Sequence, residues 1–174
     1  MRGAGLIAVP NLTIHIFRGH FEELVDAVRT RNKFLSWGRA NLRNLMGYPA
    51  LPAASSTTDP PSGGTPRYLA IGTNAGAVSD TDTGCQDETF RKEITRRIPS
   101  VDGSGNESIR LQTFIGNGEA NGVTLTEASL ETVDVGGSLP TGEIGAWTRA
   151  VYTGIAKTSA ISIIFDWEIG FAST

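Results

Sequence analysis

The segment AISIIFDWEIGF, residues 160–171, alternates between large apolar and mostly polar side chains. Its six large apolar residues fall on one side of an extended backbone: Ile161, Ile163, Phe165, Trp167, Ile169 and Phe171. Because side chains of a strand point alternately to the two faces of a sheet, this period predicts one long, half-buried β-strand. Such a strand needs a second layer over its apolar side, so the segment indicates a packed structural module before a catalytic one.

Five further segments between residues 67 and 152 have the composition of β-strands. They are RYLAIG (67–72), FRKEITRRI (90–98), ESIRLQTFI (107–115), VTLTEASLE (123–131) and AWTRAVY (146–152). The sequences between them are rich in glycine, asparagine and aspartate, which favour turns. Six strands without an intervening helix predict a mainly β protein, built as an antiparallel β-sandwich or jelly-roll-like module over residues 67–174.

The overall composition agrees with a turn-rich β protein. The 174 residues include 21 glycines, and only 19% are charged. A chain of this length buries a core without covalent staples, and its single cysteine, Cys85, excludes a disulfide within the chain. No apolar run approaches the roughly 20 residues that a membrane-spanning helix needs, so we expect no membrane contact.

The N-terminal part of the sequence changes period. Alternation of Leu12, Ile14 and Ile16 with their neighbours predicts a strand over residues 11–17. The next apolar residues follow the spacing of one helix face: Phe21, Leu24, Val25 and Val28. The sequence therefore predicts an N-terminal strand and one or two α-helices between residues 20 and 46. Together these elements would form an arm, residues 1–48, in front of the sandwich.

Residues 49–66 contain five prolines and form a linker between the arm and the sandwich. A segment of this composition buries too little apolar surface to become ordered alone. We expect this linker to be ordered by packing against neighbouring subunits.

Charge is unevenly distributed along the chain. Residues 1–43 carry seven Lys/Arg and three acidic residues, a net charge of +4, so the remaining 131 residues carry −7. This asymmetry favours a basic arm that docks on an acidic partner surface, including that of another copy of the chain. A solvated, charged helix face is the alternative interpretation.

Five segments carry a resemblance by their order and spacing. They are YLAIGT (68–73), DTDTGCQDETFRKEI (80–94), GNGEANGVTLTEASL (116–130), AWTRAVYTGIAKTS (146–159) and ISIIFDWEIGF (161–171). Together they resemble a group of small tailed-bacteriophage virion proteins of the tail, tail-collar, fibre-like or decoration type. Two positions depart from that group: Cys85 stands where an aliphatic residue is expected, and Ser129 stands where glycine is expected.

The resemblance implies a structural subunit of a tailed-phage virion, in the tail, neck or baseplate. Its partners would be copies of itself, as a trimer or ring, and other virion structural proteins. The virion would be its location, after assembly in the host cytoplasm. A capsid decoration or cement protein is the alternative, and a host-glycan-binding module is the third interpretation.

No motif of a common catalytic, nucleotide or zinc site occurs in the sequence, so we expect neither enzymatic activity nor a cofactor. Four acidic residues leave open a non-standard calcium loop: Asp80, Asp82, Asp87 and Glu88. Arg91 occupies the position at which an EF-hand counted from Asp80 needs its bidentate glutamate, so a solvated acidic turn is the default. Two histidines, His15 and His20, are too few for a histidine-based metal site.

Arg96 and Arg97 belong to the densest basic cluster, which alternates with apolar residues. This pattern favours pairing with a neighbour's acidic residue, and we do not expect nucleic acid as a partner. Glu127 and Arg149 stand where the resembling proteins also place Glu and Arg, and we expect a structural ion pair across adjacent strands. The residues predicted to contact neighbouring subunits are Ile14, Ile16, Phe21, Trp37, Arg39, Arg43, Arg96 and Arg97.

Overall fold

A computed structural model shows a protein built mainly of β-strands. The structure describes residues 6–36, 38–39, 65–101, 107–132 and 145–173. Its ten strands are β1 (Leu6–Arg18), β2 (Glu23–Arg31), β3 (Lys33–Phe34), β4 (Tyr68–Gly72), β5 (Glu88–Glu93), β6 (Arg96–Val101), β7 (Glu107–Ile115), β8 (Val123–Glu131), β9 (Ala146–Lys157) and β10 (Ile161–Ser173). No helix within these residues is long and apolar enough to cross a membrane.

The strands form two antiparallel sheets of five. Sheet A has the order β2-β1-β10-β7-β6, and sheet B has the order β3-β9-β8-β4-β5. Four pairs of strands are nested along the chain: β1 with β10, β3 with β9, β4 with β8 and β6 with β7. The first strand therefore lies beside the last, and residues 6–31, assigned to an arm by the sequence, supply two strands of sheet A.

One hydrophobic core joins the two sheets. Ile14 of sheet A and Ile71 of sheet B are both fully buried in it. The rings of Tyr152 in β9 and Phe165 in β10 lie 6.3 Å apart across the interior. The prediction of a mainly β protein with two packed antiparallel sheets is confirmed.

Strand β10 has the buried face that its sequence predicts. Ile163, Phe165, Trp167 and Ile169 are at most 3% exposed. Ile161 packs against the same core at its edge, and the side chain of Phe171 lies outside the described residues. Ile164, on the opposite face, is only half-buried.

The predicted helix after residue 20 is wrong, because residues 23–31 form strand β2. The chain reverses at residues 19–22, where Gly19 and Phe21 have φ of 63° and 60°, and β2 then pairs with β1. The helical spacing was coincidental: Leu24 and Val25 are 54% and 43% exposed, whereas Val28 packs against the core. Hydrogen bonding to the free edge of β1 outweighs the weak preference of this segment for helix.

A single helical turn follows β3, in which the Arg39 amide donates to Leu35 O at 3.0 Å. The rest of the predicted helical region, residues 40–46, lies outside the described residues, as does most of the proline-rich linker. The predicted strand 90–98 is divided between the sheets: β5 belongs to sheet B and β6 to sheet A. Buried Ile94 lies at the crossover, where the Thr95 amide donates to Gln112 O at 2.8 Å.

Candidate functional site

A cluster of buried charged residues lies on the outer face of sheet B. Strand β8 contributes Glu127, Ser129 and Glu131, which are at most 1% exposed. A bulge between Leu125 and Glu127 places Leu125, Ala128 and Leu130 in the core and turns the three polar side chains outward. Arg149 of β9 lies opposite Ser129 in the sheet, and Arg91 of β5 lies two strands away on the other side, with Ala70 of β4 between it and Ser129. We call these five polar residues, together with Asp82, the ion cluster.

Glu127 accepts four hydrogen bonds, three of them from one loop. Arg149 Nε donates to Glu127 Oε2 at 2.8 Å. The amides of Asn74, Gln86 and Asp87 donate to the same carboxylate at 3.3, 3.0 and 2.8 Å. These amides belong to the connection between β4 and β5, residues 73–87, which we call the β4–β5 loop. Glu127 therefore holds both ends of this loop against sheet B.

Arg149 extends the same contacts to the middle of the loop. Its Nη1 lies 2.9 Å from Asp82 Oδ2, and that carboxylate also accepts the Ser79 amide at 2.9 Å. The guanidinium is 1% exposed, and its Nη2 has no hydrogen-bond partner among the described residues. The structure thus brings together the two residues predicted to pair, Glu127 and Arg149, and adds Asp82 as a third member.

Glu131 forms the second half of the ion cluster. Ser129 Oγ donates to Glu131 Oε1 at 2.6 Å, and the Cys85 amide donates to the same oxygen at 3.3 Å. Arg91 bridges Glu131 and Glu88, with its Nη2 2.5 Å from each carboxylate. Burial raises the pKa of Glu131, although the Ser129 hydrogen bond and the Arg91 charge oppose this shift. Burial also raises the pKa of the Cys85 thiol well above its ordinary value, which keeps the thiol protonated.

Two glycines permit the close approach of the loop to the ion cluster. A Cβ at Gly72 would lie 2.3 Å from Asp87 O and 2.6 Å from Glu127 Oε1. A Cβ at Gly84 would lie 2.6 Å from Glu131 Oε1. All three distances are shorter than van der Waals contact, so any larger residue at either position would push the loop away from the carboxylates that bind it.

The ion cluster is suited to holding a loop in place. Its carboxylates accept hydrogen bonds from backbone amides and guanidinium groups, and burial keeps the neighbouring Cys85 thiol protonated. No described group of three or more His, Cys, Asp or Glu residues converges as a metal site would require. Of the acidic residues considered for calcium, Asp82 and Glu88 contact arginines, Asp80 pairs with Lys33 at 3.1 Å, and Asp87 accepts the Thr73 hydroxyl.

The residues predicted to contact neighbours lie in different environments. Ile14 and Ile16 are buried in the chain's own core, because β1 is an inner strand of sheet A. Phe21 packs edge-to-face against Phe17 and Phe114, with ring centroids 5.7 and 5.9 Å apart. Trp37 and Arg43 lie outside what the structure describes.

The three remaining arginines predicted at an interface are all exposed. Arg39 donates to Phe34 O and lies 3.6 Å from Asp80. Arg97 donates to Pro66 O at 2.9 Å, so one of its donors is used within the chain. Pairing of Arg96 or Arg97 with a neighbouring subunit stays a prediction.

Sequence reasoning missed Asp82, Arg91 and Glu131 as members of the ion cluster. The alternation of Glu127, Ser129 and Glu131 along one strand was the available signal, since three polar side chains on one face need partners. Apart from Arg149, their partners lie 40 to 53 positions earlier in the sequence, in the β4–β5 loop and strand β5, and no local pattern specifies the path of that loop.

Glu131→Gln is expected to cost about 1–2 kcal/mol, because Arg91 loses its ion pair with Glu131 but keeps the one with Glu88. The raised pKa means that Glu131 favours the folded state below the unfolded-state value near 4.5 and loses this contribution as pH rises. The stability of the unsubstituted protein relative to Glu131→Gln should therefore fall as pH rises above about 4.5 and through the raised folded-state pKa. Urea denaturation at several pH values measures this difference.

Asp80→Asn is a control for which the pH dependence of stability should have the opposite sign. The hydrogen bond from Lys33 lowers the pKa of Asp80, so this group's contribution is lost as pH falls through its folded-state value. If the contribution of Glu131 to the free energy of unfolding grew with rising pH, the inference that burial raises the pKa of this carboxyl would be wrong.

Comparison with known proteins finds no matching family model, curated protein or solved structure.

Proposed function

We propose that this chain is a non-enzymatic structural subunit of a tailed-bacteriophage virion, located in the tail, neck or baseplate. It would act through contacts with copies of itself, as a trimer or ring, and with other virion proteins. One observation carries the proposal: three segments of the resemblance, far apart in sequence, contribute Asp82, Glu127 and Arg149 to one buried cluster. A shared structural task explains why these segments would recur together in one group of proteins.

The two departures from the resembling group support the same proposal. Cys85 and Ser129, which stand where an aliphatic residue and a glycine are expected, contact each other: Ser129 Oγ lies 3.3 Å from Cys85 Sγ. Cys85 on the β4–β5 loop is smaller than the expected aliphatic residue, and Ser129 on β8, which faces it, is larger than the expected glycine. Such volume exchange keeps a packed contact filled, as expected for a variant of the same structural module.

The strand pairing supports a jelly-roll-like form of the sandwich. In a jelly roll, a long antiparallel hairpin is rolled up so that the first strand pairs with the last and the inner strands pair in turn. The nested pairs of this protein, from β1 with β10 inward to β6 with β7, follow that principle. A rigid body of this kind suits a subunit that transmits contacts within a particle.

Immunogold labelling of purified phage particles tests the proposal. Particles whose genome encodes the chain with an epitope tag should carry the tag at the tail, neck or baseplate. The control is the same tag on an unrelated soluble protein produced in the same infected cells, which should not copurify. Labels over the capsid would instead indicate a decoration protein. Absence of the tagged chain from particles that are otherwise complete would overturn the virion assignment.

A further inference from the structure

Lys157, at the end of β9, is buried with uncharged partners. Its side chain is 1% exposed, and its amine donates to Asn121 Oδ1 at 2.9 Å and to Thr158 O at 3.1 Å. No carboxylate of the described residues forms an ion pair with it. Removing an ammonium group from water without a counter-ion favours its neutral form, and burial accordingly lowers the pKa of Lys157. A neutral buried amine is a nucleophile.

Asn121 presents its carboxamide to this amine in a fixed orientation. Its Nδ2 donates to Asn117 O at 2.8 Å, which leaves Oδ1 directed at Lys157. The turn that carries it, residues 116–122, is tied to β9 where the Gly122 amide donates to Lys157 O at 2.9 Å. Two left-handed residues, Ala120 with φ of 52° and Gly122 with φ of 87°, shape the turn. The amine and the Asn121 carboxamide are thus held in hydrogen-bond contact before any reaction.

We propose that Lys157 and Asn121 form an intramolecular isopeptide bond. Neutral Lys157 Nζ attacks Asn121 Cγ, the Nζ–Cγ bond forms, and the Cγ–Nδ2 bond breaks. A proton from Nζ passes to the departing nitrogen, which leaves as ammonia. The step exchanges one amide for another, so it requires neither an oxidant nor a co-reactant. Asn121 is exposed, which gives ammonia a route to solvent.

Glu119 lies in the same turn, two residues before Asn121. Its carboxylate accepts the Gly116 amide at 2.8 Å and the Lys92 amine at 2.6 and 2.7 Å. Its negative charge raises the pKa of Lys157, against the larger lowering by burial. Glu119 would carry the proton between the two nitrogens as a general acid and base.

The bond would join the turn before β8 to the end of β9. Val123 and Lys157 are opposite each other at this end of the two strands, so a link from Asn121 to Lys157 follows the existing pairing. It would close a loop that contains all of β8 and β9 and restrict the unfolded chain, as a disulfide does. The only cysteine, Cys85, lies elsewhere, so this route offers a covalent link that the chain cannot make through sulfur.

Mass spectrometry of the full-length protein under denaturing conditions tests the proposal. The intact protein should be lighter than Lys157→Arg, after correction for the substitution, by the mass of one ammonia. Proteolysis should yield one branched peptide that joins the Asn121 segment to the Lys157 segment. Lys33→Arg, a substitution in strand β3, is the control and should retain the branched peptide. Glu119→Gln should accumulate unlinked chain, and an unchanged rate of linkage would remove Glu119 from the mechanism.

A succinimide at Asn121–Gly122 would lose the same ammonia, so the branched peptide decides the question. A mass deficit that persists in Lys157→Arg, without a branched peptide in the unsubstituted protein, would overturn the isopeptide bond. An unmodified intact mass in fresh and aged samples would overturn it as well. Neither readout depends on where the protein is located in a particle, so failure here is distinct from failure of the virion assignment.

Discussion

Glu127→Ala should destabilise the protein by about 3–5 kcal/mol and release the β4–β5 loop from sheet B. The substitution removes one of the two carboxylate partners of Arg149, whose guanidinium is 1% exposed and would keep only Asp82 in the protein interior. It also removes the acceptor of three loop amides. Breaking a buried ion pair from one side costs more than the pair contributes, since the remaining charge stays desolvated and Asp82 compensates it only in part.

Hydrogen exchange can locate this effect. The amides of Asn74, Gln86 and Asp87 donate to Glu127, so their exchange should accelerate strongly in Glu127→Ala, whereas amides of β10 should change only with global stability. Glu127→Gln is the matched control. It keeps an oxygen acceptor for the loop but not the negative charge for Arg149, and should therefore retain part of the protection.

The double variant Glu127→Ala/Arg149→Met separates the ion pair from the loop contacts. Removing both charges should cost less than the sum of the two single substitutions, because neither Glu127 nor Arg149 is then left buried without the other. Unchanged exchange of the three loop amides in Glu127→Ala would contradict the assignment of this carboxylate as the residue that holds the loop.

The sequence was informative where one local period determined the environment. In β10 the residues Ile163, Phe165, Trp167 and Ile169 meet the core because a regular strand alternates strictly, and the register with β1 and β7 preserves that alternation. The ion pair Glu127–Arg149 was predictable from the two strands that carry it, since antiparallel neighbours place such residues on a common face.

The sequence misled where tertiary contacts outweighed a short periodic pattern. The spacing of Phe21, Leu24, Val25 and Val28 matches a helix, yet Phe21 lies in a turn and Val28 alone packs against the core. Nothing local reveals that β1 needs a second partner strand. The bulge at Leu125–Glu127 is equally hidden: strict alternation from Leu125 would direct Glu127 into the core, and only the observed register places it under the β4–β5 loop.

Trp167→Ala should destabilise the protein by about 3–5 kcal/mol, an effect comparable to that of Glu127→Ala but with a different cause. Trp167 is the largest fully buried side chain in the described core, and it lies in β10 between Leu12 of β1 and Leu111 of β7. Removal of the indole would leave a cavity that the neighbouring strands cannot fill, because their backbones are fixed by hydrogen bonds on both sides.

Two further substitutions separate cavity formation from other effects of changing β10. Trp167→Phe keeps most of the volume and removes an indole N–H that has no hydrogen-bond partner among the described residues, so it should cost much less. Ile164→Ala, on the half-buried opposite face of the same strand, should cost about 1 kcal/mol or less. Chemical denaturation followed by circular dichroism measures the free energy of unfolding of all three variants without relying on tryptophan fluorescence. If Ile164→Ala cost as much as Trp167→Ala, the two faces of β10 would be equally buried in solution, and a further layer, such as a second subunit, would have to cover the outer face of sheet A.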